Sequence, residues 1–233
     1  MKTPLNLTAL DNGVLSSYLP GSAYETVLGW ISSYPVRIVI SGERITKSGD
    51  YRPPENGFLY HRISINRNLN NYAFLITLAH EFAHLLTWNT YRRKAKPHGH
   101  EWKDNYRILI LSLIEKNIFP KEIEHALINV FVRNGKSVHE AEYRLSLVLS
   151  EYDIDYSGQF LAELVPDSVF SIRNGNMFRK GDKVRTRYKC FCLNNKRWYL
   201  VSPAMKVRPV SNALNFSENV SSSPTIYKQK THL

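Results

Sequence analysis

The sequence predicts an α+β fold in which a mixed helical and sheet part precedes a small, basic, all-β part. Up to about residue 163, apolar residues recur mostly at helical spacing, with two short β-forming runs among them. Between residues 164 and 211, β-forming runs alternate with turn signals. Charge divides at the same place, because residues 169–211 hold eleven Lys or Arg against one acid, a balance of +10, while the whole chain carries +11. The two parts therefore differ in both structure and charge.

The first part is predicted to hold a small sheet between helices. A Gly- and Pro-rich stretch at 41–57 predicts a hairpin or irregular strand region between two regular strands. We expect an irregular lead-in at 1–20, a helix from the capping box Ser22-Ala23-Tyr24-Glu25 to about Pro35, strands at Val36–Ile40 and Phe58–Ile65, and a helix at about Asn71–Trp88. Three more helices are expected at Glu101–Lys116, at Lys121–Arg133 and, after a capping box at Ser137–Glu140, at Val138–Tyr152.

The second part, residues 164–211, is predicted to form a five-stranded barrel or curled sheet. Asn174-Gly175 marks a two-residue hairpin turn between its first two strands. The expected strands are Val169–Arg173, Asn176–Lys180, Lys183–Leu193, Lys196–Ser202 and Met205–Val210. Residues 212–233 are rich in Ser and Asn without periodicity, and we expect a disordered tail there.

The most informative motif is the pentad His80-Glu81-Phe82-Ala83-His84, which lies in the predicted apolar helix. Positions i and i+4 share one helix face, so the two imidazoles can hold one Zn²⁺, and the adjacent carboxylate can take a proton from a zinc-bound water. Unpaired ionisable side chains would be costly to bury in such a helix, and metal binding removes that cost. The pentad therefore predicts a catalytic zinc site.

A zinc hydrolase usually has three protein ligands and one open position. The downstream stretch Lys96–Lys103 contains two candidates for the third ligand, His98 and His100. His98 lies in a Pro- and Gly-containing loop, and His100 lies near the start of the next predicted helix. The residues alone leave both candidates open.

The stretch from His80 to Trp102 resembles the SprT-like family of zinc metalloproteases. This family includes bacterial SprT and the catalytic domain of Spartan, a eukaryotic protease that degrades proteins crosslinked to DNA. Its members combine the H-E-x-x-H motif with a later His-Gly-x-Glu-aromatic element, whose first histidine is the third ligand. The element aligns with His98, Gly99, Glu101 and Trp102.

The resemblance implies a zincin-like metalloprotease domain with a helical extension over residues 21–163. The implied zinc ligands are His80, His84 and His98, with Glu81 as the general base. His100 takes a variable position of the family and is interpreted as an exposed residue or a neighbour of the site, with the role of ligand in place of His98 as the alternative. Glu101 either orients a ligand imidazole or is a first-turn acid favoured by the helix dipole. Trp88 and Trp102 are interpreted as packing residues.

Two further features of the catalytic part follow from this interpretation. In such folds a substrate peptide commonly adds to an exposed sheet edge, so Phe58–Ile65 or its neighbouring strand is expected to bind the substrate. The candidates for stabilising the oxyanion are Tyr72, His100 and the basic turn at 91–94.

The cysteine content and the absence of an apolar span predict a cytoplasmic protein. Cys190 and Cys192 are the two cysteines of the chain, so no disulfide framework is expected. The N-terminal stretch lacks the pattern of a signal peptide, and no run of about 18 apolar residues predicts a membrane span. SprT itself ends in a zinc ribbon with two cysteine pairs. This chain has one pair, so we interpret both cysteines as small residues in a strand.

The basic second part predicts a nucleic-acid partner. Lys183, Arg185, Arg187 and Lys189 alternate with other residues, which on one strand would place four positive charges on one face. Basic side chains with aromatic residues among them suit phosphates and unstacked bases. The candidate nucleic-acid-binding residues are Lys183, Arg185, Arg187, Lys189, Arg197 and Trp198. Single-stranded or duplex DNA is the expected partner; an acidic protein surface, or no partner, is the alternative.

These observations predict a zinc-dependent endopeptidase that acts on DNA-associated or DNA-crosslinked proteins, with one catalytic Zn²⁺. A second hypothesis is a nucleic-acid-binding or transcription-associated protein with a mainly structural zinc site. Glu81 argues against it, since a structural site does not need that carboxylate. A third hypothesis, a zinc hydrolase acting on a non-protein amide, stays open at this point.

Overall fold

The computed structural model describes residues 14–55, 57–132, 136–153 and 158–210. In these ranges the elements are α1 (Tyr24–Ser32), β1 (Val36–Ser41), β2 (Gly49–Arg52), β3 (His61–Asn66), α2 (Asn71–Tyr91), α3 (His100–Glu115), α4 (Lys121–Val132), α5 (Lys136–Ser150), β4 (Gln159–Phe160), β5 (Val169–Ser171), β6 (Met177–Val184), β7 (Arg187–Cys192), β8 (Trp198–Val201) and β9 (Lys206–Pro209). The predicted mixture of helices and strands is therefore confirmed. None of these helices is long and apolar enough to cross a membrane.

The first sheet has three strands in the order β1-β3-β2. Strand β3 pairs in parallel with β1 and antiparallel with β2, so it is central. The expectation that Phe58–Ile65 could be a substrate-binding edge is therefore wrong. Its first residues, Phe58 and Leu59, are exposed outside the strand. The neighbouring strands β1 and β2 are the two edges of this sheet, and β2 packs against α2.

Helix α2 is buried on nearly all sides, which its continuous apolar sequence predicts. The Asn70 side chain caps its first turn, because Oδ1 accepts a hydrogen bond from the Ala73 N–H at 2.9 Å. Its largest fully buried side chains include Phe74, Leu78 and Phe82. This helix forms the centre of the main core, so residues on it are held rigidly.

The start of the first part differs from the sequence prediction in two ways. The predicted capping box at Ser22 and Glu25 is absent. A 3-10 turn precedes α1, and the N-cap residue of α1 is Ala23, which makes no side-chain hydrogen bond. The backbone N–H of Ala23 is satisfied instead by the Pro20 carbonyl at 2.8 Å. The lead-in is also partly structured, because Leu15 and Leu19 are buried in the main core. Apolar burial thus orders residues that carry no periodic signal.

The second sheet has six strands, in the order β4-β9-β5-β6-β7-β8. Five of these strands match the predicted ones, and the sixth is β4, a two-residue strand that pairs with β9. The second sheet has its own core, which contains Phe170, Phe178, Cys190 and Cys192. Both cysteines are fully buried in strand β7, as interpreted from the sequence.

The prediction that Lys183, Arg185, Arg187 and Lys189 share one strand face is wrong. Strand β6 runs on to Val184, and a tight turn at Arg185 and Thr186 separates it from β7, which starts at Arg187. Arg185 has a positive φ of 55°, as a tight hairpin turn requires. An alternating pattern continues unchanged through a two-residue turn, so the sequence alone does not reveal the turn.

Three sequence predictions fall outside the described residues. They are the first part of the lead-in (1–13), the Ser137 side chain of the predicted capping box, and the tail at 212–233.

Candidate metal centre

Two helices and the loop between them bring three histidines together. His80 and His84 lie one turn apart on α2, and His98 lies in the loop just before α3. His98 has a φ of 56°, a left-handed conformation that is uncommon for a residue other than glycine. The next residue, Gly99, donates its N–H to the Lys96 carbonyl at 2.9 Å, which closes the loop. The loop thus turns back toward α2 immediately before α3 begins.

The spacing of the three imidazoles fits one tetrahedral metal ion. His98 Nε2 lies 3.1 Å from the Nε2 atoms of both His80 and His84. The ligand atoms of the three residues all lie within 4.8 Å of one another. Nitrogens bound tetrahedrally at the usual Zn–N length of about 2.0–2.1 Å would be about 3.3–3.4 Å apart. Three histidines are therefore positioned to bind a metal ion.

Trp102 holds the histidine rings from one side. Its ring centroid lies 4.6 Å from those of His80 and His98 and 5.2 Å from that of His84. Its Nε1 donates a hydrogen bond to the His80 carbonyl at 3.3 Å, and Tyr106 stacks on it at 5.1 Å. Trp102 thus packs against the rings of the cluster, and it also lines the cleft beside them.

Burial keeps the histidines neutral, which is the form that binds metal. Burial, together with the neighbouring His84 and His98, lowers the pKa of His80 to about 3. Burial likewise lowers the pKa of His84 to about 4, with His98 acting in the same direction. The cluster therefore presents unprotonated nitrogens at neutral pH.

Glu81 is a buried carboxyl beside this cluster, with 7% of its surface exposed. Burial raises its pKa to about 7, and the nearby Asp50 acts in the same direction. The backbone N–H of Tyr51, on the edge strand β2, donates a hydrogen bond to it. A carboxyl with such a pKa can both accept and release a proton near neutral pH.

Gly49 of β2 leaves no room for a side chain beside Glu81. A Cβ atom at this position would lie 2.5 Å from Glu81 Oε1 and 2.8 Å from Thr77 Cγ2. A Cβ atom does not approach non-bonded heavy atoms this closely, so a larger residue would push the Glu81 carboxyl or the strand aside. The edge strand thus holds the position of Glu81.

Sequence reasoning missed three residues of the site: Gly49, Tyr51 and His61. The Tyr51 hydroxyl and His61 Nδ1 are 2.8 Å apart, and the Tyr51 ring lies parallel to that of His84 at 6.1 Å. Tyr51 thereby connects the edge strand, the central strand and a histidine of the cluster. Gly49 and Tyr51 fall in a stretch interpreted as irregular, and no local pattern distinguishes them.

Other residues considered from the sequence lie elsewhere. His100 is exposed, and its Nδ1 pairs with Asp104 Oδ2 at 2.9 Å on α3. Glu101 lies in the first turn of α3, where the helix dipole favours an acid. Tyr72 packs against Phe119 and Tyr152, lines a different cavity and is far along α2 from the pentad.

A cleft of about 840 Å³ opens over the histidines and Glu81. The basic turn contributes Arg92 and Arg93 to its wall, and Trp88 also lines it. Of the six candidate nucleic-acid-binding residues, Arg187 reaches this cleft. All six are exposed: Lys183, Arg185, Arg187, Lys189, Arg197 and Trp198.

The fold and the site together define a protein of mixed helices and strands with three histidines positioned to bind one metal ion. A buried glutamate, Glu81, lies beside them on the helix that carries His80 and His84. Residues 30–109 match the SprT-like family model, a segment that contains all four of these side chains. The resemblance to the SprT-like family found in the sequence is thus confirmed over this segment. Comparisons with curated proteins and with solved structures found no match.

Proposed function

We propose that the protein is a zinc-dependent endopeptidase with a zincin-like catalytic domain. The observation that carries this proposal is the buried Glu81 next to three histidines spaced for one ion, at the base of an open cleft. A site that held metal only for stability would gain nothing from a buried carboxyl aligned by the edge strand. Membership of residues 30–109 in the SprT-like family supports the same chemistry.

In this proposal His80, His84 and His98 hold the ion and Glu81 moves the proton. A bound zinc ion supplies the Lewis acidity that makes water a nucleophile near neutral pH and polarises a carbonyl. Glu81 accepts the water proton at a carboxylate oxygen and then delivers it to the leaving amine nitrogen. The Tyr51 N–H and the contact with Gly49 keep that carboxyl in place.

The free side of β2 is the proposed place for the substrate backbone. Strand β2 pairs with β3 on one side, and in the described part of the chain no strand pairs with its other side. Its residues Gly49, Asp50 and Tyr51 line the cleft. An extended peptide could add to this edge by backbone hydrogen bonds and pass next to Glu81.

The Gly49→Ala change tests the role of the edge strand. The added Cβ would overlap Glu81 Oε1, and a misplacement of about 1 Å near the reacting groups can cost about 100-fold in rate. We expect kcat to fall by that order while zinc content stays at the wild-type level. Gly42→Ala is the matched control, because a Cβ there meets nothing within 4 Å. Unchanged kcat in Gly49→Ala would contradict this role of Gly49.

We further propose that the second sheet binds nucleic acid on a surface that we call the basic face. The basic face consists of Arg179, Arg187, Lys189, Phe191, Trp198 and Leu200. Cross-strand pairing joins Phe191 to Trp198 and Lys189 to Leu200, and Arg179 to Phe191. Buried residues such as Phe178, Cys190 and Cys192 alternate with them on the opposite, core side.

The chemistry of the basic face favours single-stranded nucleic acid. Trp198 is 56% exposed, and Lys189 Nζ lies 4.8 Å from its ring centroid. An exposed indole can stack on an unpaired base, worth about 1–3 kcal/mol, while the adjacent cations pair with phosphates. Lys183, Arg185 and Arg197 extend the positive charge at the ends of the strands. In this proposal the substrate is a protein bound or crosslinked to DNA, held near the cleft by its nucleic acid.

The test is cleavage of a DNA-binding protein by zinc-loaded enzyme, with and without single-stranded DNA. A variant with Lys183, Arg185, Arg187 and Lys189 changed to Gln is compared with the wild type. We expect DNA to accelerate cleavage by the wild type but not by the variant. The variant should also bind DNA more weakly, and the slope of log K against log salt should fall by about 0.7 per lost phosphate contact. Fluorescence anisotropy at several salt concentrations measures both.

The control neutralises four cations on or next to helices α3 and α4, and so makes the same change in net charge: Lys103, Arg107, Lys116 and Lys121. Unchanged DNA binding by the variant with Lys183, Arg185, Arg187 and Lys189 replaced would refute the nucleic-acid proposal. Cleavage that does not depend on DNA would keep the protease and refute the tether.

A further inference from the structure

The segment 42–48 joins β1 to the edge strand β2, and the second sheet contacts it directly. Ile45 of this segment is half-buried and packs against the core of the second sheet, which includes Phe170, Phe178 and Val201. Among the described residues before β4, Ile45 is the one hydrophobic side chain that packs there. A residue of the catalytic part is thus anchored in the core of the other part.

Arg187 makes a second connection at the start of β7. Its Nη1 donates hydrogen bonds to the Thr46 carbonyl at 3.2 Å and to the Leu200 carbonyl at 3.4 Å. Thr46 follows Ile45 directly, so the two connections hold adjacent residues. The same Arg187 side chain lines the cleft and belongs to the basic face.

The segment 42–48 is also hydrogen-bonded to the first sheet. Arg44 donates from Nε to Asn66 Oδ1 at 2.7 Å and from Nη1 to Ser64 Oγ at 3.0 Å. Asn66, which is buried, donates in return to the carbonyls of Arg44 and Lys47 at 3.1 and 3.0 Å. The segment is therefore held between the two sheets, and it ends one residue before Gly49.

We propose that the second sheet positions the edge of the metal cleft, with Ile45 and Arg187 as positioning residues that act on Glu81 through Gly49. The segment 42–48 determines where β2 begins, and Gly49 in turn contacts the Glu81 carboxyl. The consequence for catalysis rests on the proposed function, in which Glu81 moves the proton. Because Arg187 also belongs to the basic face, a phosphate that pairs with it would alter the hold on Thr46. The surface proposed for nucleic acid and the cleft would then be mechanically connected.

The test is backbone hydrogen exchange in the full chain, which does not require activity. Ile45→Ala and Arg187→Gln are compared with the wild type. We expect exchange in the segment 46–52 to rise by roughly three- to tenfold in each variant, as for the loss of one hydrogen bond or one packing contact. With zinc bound, kcat for a peptide substrate should fall more than KM changes, because the edge still binds substrate but holds Glu81 less well.

Two matched controls separate positioning from general destabilisation. Ile114→Ala truncates a half-buried isoleucine of the main core on α3, and Lys196→Gln removes a cation at the other end of β7. Neither should change exchange in 46–52. Wild-type exchange there in Arg187→Gln and in folded Ile45→Ala would overturn the proposal. If the wild type cleaves no peptide while the exchange rises as expected, the positioning stands and the proposed endopeptidase function fails.

Discussion

Replacing Glu81 with Gln is expected to abolish hydrolysis while leaving the metal bound. The amide keeps the shape of the side chain but cannot accept the water proton, and loss of a general base costs about 10²- to 10⁴-fold in rate. Glu81 lies next to His80 in the sequence but is not one of the three residues clustered for metal binding, so zinc content should stay near one ion per chain. Peptidase kcat and zinc content of the purified variant measure both effects.

Glu55→Gln is the matched control for this experiment. Glu55→Gln is the same replacement of a carboxylate by an amide. The Glu55 carboxylate lies on the surface near the cleft and pairs with Arg93 at 2.7 Å. Exposed pairs contribute about 0–1 kcal/mol, so the control should retain nearly full activity. Wild-type hydrolysis by Glu81→Gln would remove Glu81 from the mechanism and reopen the hypothesis of a structural zinc site.

Replacing His98 with Ala is expected to release the metal, whereas His100→Ala should leave it bound. His98 Nε2 lies 3.1 Å from both histidines of the pentad, while His100 is exposed and pairs with Asp104. Loss of a residue that only supports a ligand weakens metal binding by about 10- to 100-fold, so loss of a ligand should exceed about 100-fold. Competition with a chelator measures zinc affinity for both variants without reference to activity.

The two histidines differ by two positions, so each variant controls for the other. Peptidase activity should follow zinc occupancy, lost in His98→Ala and retained in His100→Ala. The opposite pattern, with zinc lost in His100→Ala, would overturn the assignment of the third ligand. Equal retention in both variants would mean that the site binds metal through the pentad alone.

The helices of the catalytic part were largely predictable because their signal is local. The apolar run around the pentad predicts a buried helix, and α2 spans Asn71–Tyr91 as a buried helix. His98 was selected by family resemblance, since spacing alone left His100 open. The hairpin turn at Arg185 was not predictable, because strand alternation continues through it. The capping box failed because a 3-10 turn with backbone hydrogen bonds occupies the start of α1.

The sequence by itself determined the metal-binding chemistry, because two histidines one helical turn apart must share a face wherever that helix lies. It also determined the positive charge of the second part, which is a sum over residues and needs no coordinates. The tertiary structure alone decided that β2 is an edge strand, that Gly49 lies close to Glu81 and that Ile45 packs against the core of the second sheet. These contacts join residues far apart in the chain, and long-range packing leaves no periodic trace in either partner. Short-range chemistry can therefore be read from the order of residues, whereas the position of Glu81 beside Gly49 depends on contacts between segments far apart in the chain.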